Sequence, residues 1–150
     1  MNFEKILQKH YWYYSAVKNM SDFATTTSTV FGQGEQNTIN MITKWNSNAY
    51  GSQNGGSSGY QPDMWGLSAV NSRTWNNSSG WYVPSRDEWA VFAGELNITN
   101  SNYRDCGLAG WNWSSSQTDR SSAWCTNLPA NNFLNDVVGN WSSVRLGMTF

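Results

Sequence analysis

The sequence predicts a loop-rich α+β domain, two short helices set around small antiparallel sheets. Three observations predict it. Residues 80–89, GWYVPSRDEW, carry the signature of a strand that ends and a helix that begins. A second short apolar period follows Asn37. From about residue 107 the chain breaks into strand-length pieces between Asn, Gly and Pro turns, with no helical period.

Taken in order, residues 3–20 read FEKILQKHYWYYSAVKNM. Phe3, Ile6, Leu7, Tyr11, Tyr14 and Val17 fall near helical spacing, yet the YWYY run suits a strand, so the segment reads either way. A Thr-rich connection, TTTSTVFGQGEQ, follows. Residues 37–46, NTINMITKWN, predict a short helix. Asn37 or Thr38 would cap it, and Ile39, Ile42 and Trp45 would form its apolar stripe. The next stretch, YGSQNGGSSGYQPD, reads as a long loop. Residues 64–80 hold Trp65 and Trp75 without a clear period.

At the junction, Trp81, Tyr82 and Val83 are strand-like and Pro84 stops the strand. Ser85 and Glu88 form a capping box, in which each side chain satisfies an otherwise orphaned backbone N–H. Trp89, Phe92, Ala93 and Leu96 then recur at i, i+3, i+4 and i+7, one stripe of a helix facing the core. Capping accounts for these residues better than a ligand site does. The terminal SVRLGMTF alternates Val144, Leu146, Met148 and Phe150 on one face of a closing strand.

Composition narrows the function. The length, 150 residues, fits one domain with a self-sufficient core. Net charge is −1, and no basic stripe exists to neutralise phosphates, which argues against nucleic acid as a partner. Charged residues make up only 13%, against about a quarter in typical domains. Aromatics reach 15%, with ten tryptophans. Rigid amphipathic rings among small polar residues suit a binding surface as well as a Trp-rich core. The two cysteines, Cys106 and Cys125, stand outside any CxxC pattern and the single histidine is His10, so no zinc site and no cofactor is expected. The cysteines could be bonded or reduced. No apolar run marks a signal peptide or a membrane span.

Three motifs in order carry a resemblance. They are Trp81, Val83, Pro84, Ser85 and Glu88; then Trp113, Ser114, Ser115 and Ser116; then Val144, Arg145, Leu146, Thr149 and Phe150. Over about residues 30–150 the chain resembles the lectin-like domains related to the collagen-like adhesin of Legionella, which share the C-type lectin fold. Within them it looks most like the variable proteins of diversity-generating retroelements. In these, adenine-directed mutagenesis scatters replacements through a C-terminal stretch. The resemblance implies a domain over 31–150, a variable region at about 111–141, and an N-terminal segment, 1–30, that could oligomerise, as a trimer for instance. Asn112, Asn127, Asn131, Asn132, Asn135 and Asn140 lie in that stretch, as an adenine-rich template would leave them, although Asn is common throughout the chain.

The function implied is recognition of a host-cell surface protein or glycan, by a phage tail or bacterial surface adhesin. The expected contact residues are Trp111, Asn112, Thr118, Asp119, Arg120, Trp124, Thr126, Asn132, Phe133, Asn135, Asp136, Asn140 and Trp141. Trp124 and Trp141 suit surface and core equally. The expected buried frame is Trp81, Trp89, Phe92, Leu96, Trp113, Val144 and Leu146. A calcium-dependent sugar lectin is the first alternative, since Gln61-Pro62-Asp63 matches a galactose-type triplet and Asn135-Asp136 could supply a second pair. The triplet stands too early in the chain, however, and carboxylates are scarce for an ion that takes six to eight oxygens. Formylglycine-generating enzymes share the broad fold, but no matching Cys motif surrounds Cys106 or Cys125. With His10 alone and Glu88 assigned to capping, no enzyme is expected. A structural pilus or tail subunit is the remaining alternative.

Overall fold

The computed structural model describes residues 2–10, 12, 27–45, 81–99, 101–102, 110–119, 122–128, 132–137 and 142–148. Among them are five strands and two helices, an α+β architecture: β1 (Asn2–His10), α1 (Gly34–Trp45), α2 (Arg86–Glu95), β2 (Gly110–Asp119), β3 (Ser122–Leu128), β4 (Asn132–Val137) and β5 (Ser142–Met148). The strands form one sheet in the order β1-β5-β2-β3-β4. β2, β3 and β4 follow one another as antiparallel neighbours, and β1 pairs antiparallel with β5. β5 meets β2 in parallel at Asn112–Ser143, so the sheet is mixed rather than purely antiparallel as expected. Residues 2–10, ambiguous by pattern, are a strand. They pair with the chain's last strand although the sequence places them before the 31–150 domain.

The capping box forms as its sequence predicts. The Ser85 N–H donates to Glu88 Oε2 at 2.6 Å, and the Glu88 N–H donates to Ser85 Oγ at 3.2 Å. Both residues are buried. Helix α2 ends on a left-handed residue, Asn97, at φ 49°. The Asn97 N–H donates to the Gly94 carbonyl and the Ile98 N–H to that of Ala93, the bonding pattern of a Schellman stop. This stop corrects the predicted stripe. Trp89 and Ala93 are buried and Phe92 is half-buried, but Leu96 caps the helix and is 47% exposed.

Helix α1 starts at Gly34, earlier than predicted, which places Asn37 and Thr38 inside it. Its buried face is Gly34, Asn37, Thr38, Met41 and Ile42, an i, i+3, i+4, i+7, i+8 series. Ile39, expected on the stripe, is 50% exposed. Two polar residues take the inward face because irregular backbone beside them needs partners. Asn37 accepts from the Ser28 N–H at 2.8 Å and donates to the Ser28 carbonyl at 2.7 Å. Thr38 Oγ1 accepts from the Val83 N–H at 2.9 Å.

The core joins Trp12, Met41, Ile42, Trp81, Tyr82, Val83, Trp89, Ala93, Trp113, Ala123 and Cys125. Trp81, Trp89 and Trp113 are buried as expected; for Val144 and Leu146 the side chains lie outside the description. Cys125 is a buried thiol rather than half of a disulfide. Cys106, the Gln61-Pro62-Asp63 triplet, Trp65, Trp75, Thr149 and Phe150 lie outside the described residues. Among those described, no helix is long and apolar enough to cross a membrane.

Candidate functional site

The Trp113–Ser116 motif is where the separate segments meet. β2 pairs with β3 through Trp113, then its register breaks until Gln117. A break of this kind takes backbone groups out of the ladder and leaves them in need of other partners. The serines and their neighbours supply these. The Ser115 N–H donates to the Pro84 carbonyl at 2.8 Å. The Ser116 N–H donates to Ser114 Oγ, whose own hydroxyl donates to the Trp124 carbonyl at 2.7 Å. The Ser114 carbonyl accepts from the Trp12 indole at 2.8 Å, and the Trp113 carbonyl from the Trp89 indole at 3.3 Å.

The same hydroxyls reach outward from β2. Ser115 Oγ accepts from Asn37 on α1 at 3.0 Å. Ser116 Oγ accepts from the Arg86 N–H at the start of α2, and donates to the Ser28 carbonyl at 2.7 Å. Thr27 Oγ1 accepts from the Gln117 N–H. Residues 27–30 are thus a strap lying across the motif. It is held by Asn37, Ser116 and Gln117, and at its end by Ser85 Oγ and the Asp87 N–H. Short hydroxyl side chains suit this place because all three serines are fully buried; Ser114 and Ser116 each bridge two backbone groups, and Ser115 takes the Asn37 side-chain amide.

Burial of the motif corrects the expected recognition surface. Residues Asn112–Gln117 are buried without a break, so the first half of the 111–141 stretch is not one exposed face. Asn112 is 0% exposed and Thr126, its cross-strand partner, 1%. Both had been expected to contact ligand. They are covered because β2 is an interior strand of the sheet and α1 and α2 both pack against it.

The exposed residues fall into two groups. Trp111, 40% exposed, stands at the start of β2 beside Asn127 of β3. Thr118 and Asp119 lie about 25 Å of strand further on, at roughly 3.3 Å per residue. There Thr118 Oγ1 donates to the Ser122 carbonyl at 2.9 Å and closes the β2–β3 turn. Half-buried Trp124 belongs with this turn end of the sheet through the pairing of Ala123 with Gln117. Its ring lies 5.1 Å below the Arg86 guanidinium, which also pairs with Asp87 at 2.7 Å. Sequence reasoning missed Arg86 and Asp87 because helix periodicity makes them a solvated first turn. Only the fold brings that turn to β3.

Asn132, Phe133, Asn135 and Asp136 lie on β4, in register with Asn127, Thr126, Trp124 and Ala123; their side chains are outside the description. Arg120, Asn140 and Trp141 lie outside the described residues. Among those described, no group of three or more His, Cys, Asp or Glu could hold a metal ion. The arrangement sets a cation, a carboxylate, a hydroxyl and two partly exposed indole rings on the sheet and the first turn of α2. No protein-family model, no curated protein and no solved structure matches the chain.

Proposed function

We propose that the chain is a recognition module of C-type lectin fold, a variable protein of a diversity-generating retroelement, displaying a hypervariable surface within residues 111–141. Its partner is a protein or glycan on a host-cell surface, met by a phage tail or by a bacterial surface adhesin. It performs no chemistry of its own. The exposed end of the β2–β3 hairpin, with Thr118, Asp119 and Trp124, and the separate Trp111 patch are the contact regions among the described residues. Arg86 and Asp87 extend the first of them.

One observation carries this reading. The residues that bear the resemblance, Ser85, Glu88 and Trp113–Ser116, are the buried hydrogen-bonding frame, while Trp111, Thr118 and Asp119 beside them reach the surface. A frame tied at many points tolerates replacement of exposed side chains, because such changes are usually within about 0.5 kcal/mol of neutral.

Sequencing a few kilobases of DNA around the gene tests it. The expected result is a near-copy of the codons for residues 111–145, beside a reverse-transcriptase reading frame, that differs almost only at adenines. The differences should spare the codons for Trp113–Ser116. With no such repeat, or with one that varies those four codons freely, retroelement diversification is overturned.

A further inference from the structure

A different surface, outside residues 111–141, has the character of a second binding site. A groove of about 360 Å³ runs between the turn before α1 and the outer face of α2, lined by Phe31, Val91, Phe92, Glu95 and Leu96. Two devices build it. Gly32, at φ 84°, and the Gln33 N–H donating to the Val30 carbonyl make a tight turn at residues 30–33. That turn leaves Phe31 53% exposed. The Schellman stop of α2 leaves Leu96 exposed on the other wall, with Val91 45% exposed beside it. Phe92 turns one edge to Trp89, at 6.0 Å between centroids, and is half-buried between core and groove.

Four large apolar side chains meeting in one concave patch are more than scattered exposure, and patches of this kind mark contact sites. The volume is at the low end for ligand sites, so it holds one large side chain rather than an extended molecule. The charge on the wall chooses the neighbour of that side chain. Among the described residues that line it Glu95 is the only charged one, and it sits in the last turn of α2, which has no basic residue. A carboxylate there adds to the negative end of the helix dipole, a placement that favours a cation from outside. Among the described residues the ion pair present is Arg86–Asp87, at the opposite end of the helix.

We propose that this groove binds a peptide segment that presents one aromatic or large aliphatic side chain next to a lysine or arginine. The apolar side chain fills the space between Phe31 and Leu96, and the cation meets Glu95 and the α2 C-terminus.

The test is an NMR titration of the full chain with acetyl-Gly-Phe-Lys-Gly-amide and with acetyl-Gly-Phe-Glu-Gly-amide. The lysine peptide should shift amides at residue 31 and residues 91–96, and bind about two- to five-fold more tightly than the glutamate peptide, the range of an exposed ion pair. Glu95→Gln should remove that preference without lowering the melting temperature, and salt should weaken it. Equal binding of the two peptides, shifts centred elsewhere, or no shift at millimolar peptide would overturn the proposal. The peptide comparison uses the unaltered protein, so it stands even if a variant misfolds, and it is independent of any template repeat in the DNA.

Discussion

Gly34→Ala should cost far more than an exposed Gly→Ala change in a helix. Gly34 opens α1 directly against the capping box of α2. A Cβ there would strike Glu88 Oε2 and come within 2.9 Å of both the Ser85 nitrogen and the Tyr82 ring. The carboxylate cannot swing away freely, because it accepts the buried Ser85 N–H at 2.6 Å. If it moves, that N–H is orphaned, at about 1–3 kcal/mol. If it stays, α1 must back off Tyr82 and Ser85, and overpacking costs about 1–3 kcal/mol. The gain in helix propensity from alanine offsets at most about 1 kcal/mol. The net expectation is a loss of about 0.5–3 kcal/mol, a fall in melting temperature of roughly 2–10 °C for a chain of this size.

Urea denaturation followed by tryptophan fluorescence reads this directly. A cycle with Glu88→Ala separates the causes. If the clash acts through the cap, Glu88→Ala should cost at least about 1 kcal/mol less in the Gly34→Ala background than in the unaltered protein. Gly34→Ala within about 0.5 kcal/mol of the unaltered protein would refute the packing of α1 on the cap.

Three further outcomes follow from other contacts. Asn97→Gly should stabilise the protein by about 0.5–1 kcal/mol in a thermal melt, because Asn97 occupies the left-handed position that ends α2. Asn37→Ala should destabilise by about 2–4 kcal/mol in urea, with faster hydrogen exchange at the Ser28 amide, since Asn37 alone satisfies that N–H. The same substitution at two threonines should act oppositely. Thr38→Val should cost about 1–2 kcal/mol because the Val83 N–H loses its acceptor. Thr126→Val should be neutral or stabilising by up to about 1 kcal/mol, as the buried Thr126 hydroxyl has no hydrogen-bond partner. Chemical denaturation of the pair compares them.

Where a local rule was sufficient, the sequence alone determined the outcome. Ser85 and Glu88 cap α2 as their spacing requires, because a capping box closes within four residues and needs nothing from the rest of the fold. The strand character of residues 110–119, 122–128 and 142–148 was legible from turn residues and the loss of helical period. The mixture of helix and strand was legible for the same reason. Burial of Trp81 and Trp89 was legible from their places at the strand–helix junction and on the inward stripe of α2.

What the tertiary structure decided lies in contacts between distant segments. Which face of α1 turns inward is one such contact, since Asn37 and Thr38 look like caps until the strap at residues 27–30 and Val83 are beside them. Leu96 left its stripe because the helix stops one position before it, and a left-handed asparagine is weak punctuation compared with glycine. Asn112 and Thr126 are polar residues on strands, and alternation cannot tell an outer face from one that helices cover. The pairing of β1 with β5, and of Arg86 with Trp124, joins residues far apart in the chain. No periodicity records such partners. They are set by which faces are left to bury once the local elements have formed.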